Sequence, residues 1–240
     1  MITGKYPSLR LRRTRKYSWS RRLTQENSLS SGDLIYPIFL IEGKNKKQAI
    51  KSMPGIYRWD MNGLIKEVSR AWELGIRCIV LFPKIDDSLK TEDGSECFNE
   101  AGLIPQAIRM LKKEIPEMAI MTDVALDPYS CDGHDGLVDE NGKILNDETI
   151  EILKKQAITQ ARAGADFIGP SDMMDGRVGA IRKALDKNNF QNVSILSYAA
   201  KYASSFYGPF RDAVGSKTNL KSDKKTYQMD FRNFNEAFRE

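Results

Sequence analysis

From residue 34 onward the chain alternates between two rhythms, short continuous apolar runs and longer stretches with apolar residues at helical spacing. The run from Asp33 through Ile41 (DLIYPIFLI) reads as a strand covered on both faces. Gly43 to Met53 is polar and lysine-rich, and Met53-Pro54-Gly55 marks a turn. Asp60 is placed to cap a helix with apolar positions Leu64, Val68, Ala71 and Trp72, and Gly75 ends it. Arg77 to Pro83 predicts a second strand, Lys84 to Glu100 a long polar loop, and Ile104, Ala107, Ile108 and Leu111 the buried stripe of the next helix. A third strand over Ala119 to Leu126 leads into an acidic loop holding Asp127, Asp132, Asp135 and Asp139. The following helix opens at Asn146-Asp147-Glu148, buries Ile150, Leu153, Ala157 and Ala161, and stops at Gly164. A fourth strand (Ala165 to Ser171), a helix (Val178 to Leu185) and a fifth strand (Val193 to Tyr198) complete the series, and Asn235-Glu236-Ala237 begins a last helix.

Strand, loop and helix in unbroken alternation specify a parallel sheet with helical crossovers, either a barrel or a doubly wound sheet. The first strand is followed by no GxGxxG, which removes the commonest reason to choose a dinucleotide-binding sheet. Polar residues gather where the strands end: Asp123 and Asp127, Ser171 and Asp172, and Lys201. That is the side on which barrel enzymes place their chemistry. Asp172 and Asp175 also suit simple capping of the helix after them. Lys201 has two readings. Burial beside apolar side chains lowers an amine's pKa and prepares it to attack a carbonyl, whereas an ordinary lysine at a strand end extends its head to water. Its neighbours include a turn with two aromatics, Tyr207-Gly208-Pro209-Phe210, and Arg211, a planar fork suited to a carboxylate.

Composition narrows the function classes. The chain has 240 residues with 41% hydrophobic content, enough for one substantial core. It contains no apolar run near the roughly 18 residues of a membrane span, so no membrane partner and a cytoplasmic location are expected. The three cysteines, Cys78, Cys97 and Cys131, have no CxxC spacing, and His134 is the only histidine, which argues against disulfides, thiolate zinc sites and histidine clusters. The formal charge of +5 is concentrated at the start: residues 1–33 carry eight basic residues against Glu26 and Asp33, so the rest is close to neutral. Such an arm could touch phosphates, with Tyr17 and Trp19 stacking on bases, but no basic groove accompanies it, and no nucleic-acid partner is expected.

The run KYASSFYGPFRDA, followed by Thr226-Tyr227-Gln228-Met229-Asp230, closely resembles the porphobilinogen synthase (aminolevulinate dehydratase) family. The segments PSLRLRRTRK, YPIFL, MPGIYR, MTDVALDPYS and GPSDMMDGR extend the resemblance over essentially the whole chain. It implies a TIM-type (β/α)8 barrel (residues 34–240) with an extended N-terminal arm (residues 1–33) that contacts a neighbouring subunit in a homo-oligomer, an octamer or hexamer. The implied reaction condenses two 5-aminolevulinate molecules into a pyrrole with loss of water, without an organic cofactor. Lys201 matches the imine-forming lysine, Arg211 and Lys224 the pair that holds the substrate carboxylate, Gln228 a further polar contact, and Asp123 and Ser171 polar residues near the substrates. Tyr202 to Gln228 resembles the family's lid.

Zinc-dependent members place three cysteines in the loop after the third strand, where this chain has Ala125, Asp127 and Asp135. The resemblance therefore implies no catalytic zinc, and carboxylates favour a hard cation such as magnesium. Glu240 matches a glutamate of the family's allosteric magnesium site. Only about five of eight βα units are expected, without the second Schiff-base lysine, so the chain is expected to be an incomplete and inactive fragment of the enzyme. The alternatives are a non-catalytic truncated relative that assembles with a full-length enzyme, and another imine-forming barrel aldolase.

Overall fold

The computed structural model describes residues 4–44, 46–216 and 222–240. The basic arm forms two short helices, α1 (Arg12–Arg15) and α2 (Ser18–Leu23), of which only Ser20 is buried. Helices this short gain little from their own hydrogen bonds. The local contacts include Tyr17 stacked on Trp19 at 5.7 Å between ring centroids.

Beyond the arm come β1 (Ile35–Ile41), β2 (Lys47–Ala49), β3 (Tyr57–Trp59), α3 (Met61–Glu73), β4 (Cys78–Lys84), α4 (Leu103–Glu114) and β5 (Ala119–Val124). Then follow the small hairpin β6 (Leu137–Val138) and β7 (Ile144–Leu145), α5 (Asn146–Ala163), β8 (Phe167–Pro170), α6 (Arg177–Lys187), β9 (Ser194–Ile195), α7 (Gly208–Val214) and α8 (Phe234–Arg239). The main sheet has the order β2-β3-β1-β4-β5-β8-β9 and is parallel except for the β2–β3 pair. Each successive βα unit from β1 to β9 is thus added to the same side of the sheet, and the fold is α/β with a mixed sheet.

The period-2 geometry of the strands splits their apolar residues between two cores. Ile38, Leu40, Ile79, Leu81 and Ile120 join Leu64 and Val68 of α3, Ile108 and Leu111 of α4, Leu153 of α5 and Leu185 of α6. Full burial of each such side chain contributes about 1.5–3 kcal/mol, which makes this face the main source of stability. On the opposite face Phe39, Val80, Phe82 and Met121 pack on Ala213 and Val214 of α7. Ile35 and Leu196 stay largely exposed beside a hollow that Pro37, Val80, Phe82, Met121 and Tyr198 help to line.

The structure corrects several expectations from the sequence. Five strands were expected, and β2 and β3 extend the sheet beyond β1; Lys47–Ala49, exposed at every position, is an edge strand rather than a loop. The loop expected over Lys84 to Glu100 carries two 3-10 turns and buries Ile85, Lys90 and Cys97. The fifth strand is two residues long, although Leu196 and Tyr198 continue its ladder by donating to Ile168 O and Pro170 O. Tyr207-Gly208-Pro209-Phe210 is not an isolated turn: a 3-10 turn over Ser205–Tyr207 leads into α7, with Pro209 in its first turn where a missing N–H costs nothing. Of the predicted lid, residues 217–221 lie outside the described residues.

Candidate active site

Three neighbouring strands deliver the polar residues, and their helices hold the strand ends in place. Gln156 and Gln160 lie on the buried stripe of α5, where Gln160 Nε2 donates to Asp123 O at 2.9 Å and Gln156 Nε2 to Ala125 O at 3.4 Å. Thr122 Oγ1 donates back to Gln160 Oε1 at 2.8 Å. At the end of β8, the Ser171 amide donates to Val124 O and its hydroxyl donates to Asp123 Oδ1 at 2.6 Å. Asp172 caps nothing in α6; its Oδ1 accepts from Met174 N at 2.7 Å, and its Oδ2 faces Arg177 Nε at 3.4 Å. Arg177 in turn donates to Tyr198 O at 2.8 Å, which holds the chain just ahead of Lys201.

The Lys201 side chain is mostly buried, about 10% exposed. Its ammonium donates to Ser171 O at 2.5 Å and to Asp135 Oδ1 at 3.4 Å, and lies 5.6 Å from the centre of the Tyr207 ring. Its own carbonyl accepts from Met229 N at 3.0 Å. Asp135 carries a second ammonium on its other oxygen, Lys224 Nζ at 2.8 Å, and the same nitrogen is 3.8 Å from Asp127 Oδ2. His134 ties the segment around Lys224 to the acidic loop, with Nε2 2.9 Å from Ser222 Oγ and Nδ1 3.1 Å from Tyr227 OH.

Three buried carboxylates around two buried ammonium groups set the electrostatics. Burial pushes Asp123 up to about 7, with Asp127 adding to the rise while the Ser171 hydroxyl and Lys201 oppose it. Burial also raises Asp127, against the pull of Lys224. For Asp135 burial works the same way but loses to Lys201 and Lys224, and its carboxyl is held at about 2. The sequence led us to expect a depressed pKa for Lys201, and the structure reverses this: burial does act to lower it, but Asp135, Asp127 and Asp123 together outweigh burial and raise it. Lys201 therefore rests as an ammonium ion.

Lys201, Asp123, Ser171, Asp127 and Asp135 line one cavity of about 480 Å³, walled by Tyr36, Phe39, Phe82, Tyr198, Tyr207 and Phe210. Arg211, Lys224 and Gln228 line a neighbouring hollow of about 380 Å³ with Ser204, Ser205 and Ser222. The segment Tyr207 to Arg211 faces both, and Asp135 connects them by accepting from a lysine of each. Lys224 is thus paired with Asp135 and Asp127 rather than free to receive a substrate carboxylate. Asp127 and Asp135, expected as possible magnesium ligands, have oxygens occupied by ammonium groups and the Ser216 hydroxyl. Among the described residues no group of three His, Cys, Asp or Glu side chains is arranged to hold a metal ion, so this donor set does not fit a divalent cation. Glu240 is exposed at the end of α8 and takes part in neither cavity.

The family model for delta-aminolevulinic acid dehydratase matches residues 8–240. This chain belongs to the delta-aminolevulinic acid dehydratase family. It is 54% identical over 233 residues to the delta-aminolevulinic acid dehydratase of Bradyrhizobium diazoefficiens, an alignment that covers 97% of this chain and 66% of that relative. It is 55% identical over 240 residues to the chloroplastic family member of Glycine max, covering 98% of this chain and 58% of the relative. The crystal structure of the Toxoplasma gondii dehydratase, solved with its reaction product porphobilinogen, matches with a TM-score of 0.92 at 52% identity, over 100% of this chain and 67% of that one. The chain thus spans between about half and two thirds of the length of the family members it matches.

Sequence reasoning singled out Lys201, Asp123, Ser171, Asp127 and Asp135 of the first cavity and Arg211, Lys224 and Gln228 of the second, but missed most of the aromatic walls and the residues that hold both in place. Gln156 and Gln160 fall at i+3 and i+7 from Leu153, on the stripe that predicted the helix, so polar residues sharing an apolar stripe were the available signal. Arg58 had no local signal, because the α7 carbonyls it contacts are 154 and 155 residues away in sequence.

Proposed function

We propose that this chain carries the imine-forming part of a porphobilinogen synthase site, in which Lys201 captures 5-aminolevulinate through its ketone. The observation that carries this reading is a buried lysine amine opening into an aromatic-walled cavity beside a carboxyl poised near neutrality. Because Lys201 rests protonated, capture starts with loss of that proton. Asp123 lines the same cavity and, at about 7, is partly ionised at neutral pH and able to take it. The free amine then forms a C–N bond to the ketone carbon as the C=O π bond breaks, and one N–H proton passes to the oxygen to give a carbinolamine. Asp123 returns its proton to that hydroxyl, the C–O bond breaks with loss of water, and the nitrogen lone pair closes the protonated imine, leaving Asp123 ionised again. Ser171, bonded to Asp123 Oδ1, orients that carboxyl.

The substrate's carboxylate is assigned to the neighbouring hollow, where Arg211 offers a planar fork and Lys224 and Gln228 complete the wall. Engaging Lys224 requires it to leave Asp135. The full condensation, the closed (β/α)8 barrel, a homo-oligomer contacted through the basic arm, and a cytoplasmic location are parts of the same proposal; the plant relatives are named as chloroplastic. No helix among the described residues is long and apolar enough to cross a membrane. Magnesium enters the proposal only at Glu240, a lone carboxylate that needs ligands from another subunit, and no step of imine formation runs through it.

Substrate class is tested by borohydride trapping of 5-aminolevulinate in parallel with aminoacetone, a ketone of the same type without the carboxylate. The proposal expects 5-aminolevulinate to be trapped at much lower concentration, with the preference lost in Arg211→Met. Equal trapping of both ketones, or a preference untouched by Arg211→Met, would contradict it. A non-catalytic relative predicts no adduct from either.

A further inference from the structure

The short helix α7 brings Phe210 into the wall of the Lys201 cavity and Arg211 into the neighbouring hollow, and its own carboxyl end is gripped by two cations from distant parts of the chain. Arg58, buried on β3, donates Nε–H to Ala213 O at 2.6 Å, one terminal nitrogen to Asp212 O, and the other to Gln48 Oε1 at 3.0 Å. Lys90, from the loop after β4, donates to Gly215 O at 3.2 Å and pairs with Asp87 at 2.7 Å. Gly215 turns the chain with φ +74°, its amide donates back to Arg211 O and Asp212 O, and the Ser216 amide donates to Arg211 O. The carbonyls of residues 211, 212, 213 and 215 thus all have partners, and the two cations supply three of the bonds. A seven-residue helix starting with Gly-Pro has little stability of its own, so this arrangement must come from outside it.

We infer that Arg58 and Lys90 are positioning residues that together form a two-cation clamp on the carboxyl end of α7, holding its aromatic and cationic side chains over the substrate cavities. Neither residue lines either cavity, so the clamp acts on the site only through α7. The link to catalysis rests on the imine-forming function proposed above; the mechanical role does not. Arginine suits the first position because its planar fork meets three acceptors from three separate nitrogens, whereas an ammonium presents its donors from a single atom.

The test uses Arg58→Met, Arg58→Lys and Lys90→Met in the full 240-residue chain. Amide hydrogen exchange at Gly215 and Ser216 reports the last turn of α7, while β4 and β5 serve as internal reference. Each Met variant is expected to speed exchange at Gly215 and Ser216 by roughly 10- to 100-fold, the effect of losing a charge-assisted bond, with the reference strands unchanged. Arg58→Lys is expected to fall closer to Arg58→Met than to the parent. In borohydride trapping, the 5-aminolevulinate concentration for half-maximal labelling should rise by a similar factor while the rate at saturation is kept. Lys90→Met carries the test if either Arg58 variant does not fold. Unchanged exchange at Gly215 and Ser216 overturns the clamp, as does faster exchange spread equally over β4 and β5. Faster exchange with unaltered half-saturation overturns its role in holding the site. If the parent chain gives no adduct at all, the imine function fails, and the exchange data still decide the clamp.

Discussion

Replacing Asp135 by Asn should make Lys201 a better nucleophile at neutral pH, although it removes a group from the heart of the site. Asp135 Oδ1 lies 3.4 Å from the Lys201 ammonium and is first among the carboxylates that raise its pKa. At that separation, and with an effective dielectric constant near 20, one charge pair is worth about 5 kcal/mol, an upper bound of between 3 and 4 pK units. Asp127 and Asp123 remain in the variant, and local relaxation recovers part of the loss, which leaves a fall of roughly 1–2 units. Below the amine's pKa the neutral fraction rises tenfold per unit, so modification of Lys201 should be roughly 10- to 100-fold faster at pH 8. Short pulses of acetic anhydride across a pH series, quantified on the peptide containing Lys201 and normalised to exposed lysines, measure this directly. Lys224 also loses its partner on Asp135 and keeps only Asp127 at 3.8 Å, and this less compensated cation shifts Lys201 in the same direction. A labelling midpoint for Lys201 that stays put or moves upward in the variant would refute the reasoning.

Asp123→Asn is expected to stabilise the fold at pH 8 and to have little effect at pH 4. The parent carboxyl sits at about 7 when folded and in the ordinary carboxylate range when unfolded, so the folded state binds more protons between those values and stability falls as pH rises through them. Three pK units set an upper limit of about 4 kcal/mol on the gain, which urea unfolding at the two pH values will report. Asp60→Ala should cost about 1–2 kcal/mol in the same assay, because Asp60 accepts from Gly63 N at 2.8 Å at the start of α3 and from Lys46 N at 3.1 Å. Deleting residues 1–33 should lower the assembled mass in sedimentation without unfolding residues 34–240; unchanged mass would remove the arm from subunit contacts.

How much could be read in advance depended on whether a feature was local. The helix α3 was legible because its cap at Asp60, its stripe of Leu64, Val68 and Ala71, and its stop at Gly75 are all written within one stretch. The parallel strands β4, β5 and β8 and the second half of β1 were legible as apolar runs because both of their faces are covered; the start of β1 is equally apolar although Ile35 is exposed. β2 was missed because an edge strand needs no apolar signature, β3 because at three residues it is too short to show a pattern, and α7 because Gly-Pro at its start mimics a turn. In the site, the residues themselves were identifiable, whereas the sign of the Lys201 shift was not. Burial was inferable from the apolar strand before it, but the approach of Asp135 and Asp127, folded in from a loop more than 60 residues earlier, decides the balance.

The central claim is that the amine of Lys201 is the group that captures the ketone. Reducing the chain with borohydride in the presence of 5-aminolevulinate and mapping the modified peptides by mass spectrometry tests it most directly. The account predicts one reduced adduct per chain, located on Lys201 and absent from Lys201→Met. An adduct on Lys224 or on surface lysines instead, or one that survives Lys201→Met undiminished, would contradict it.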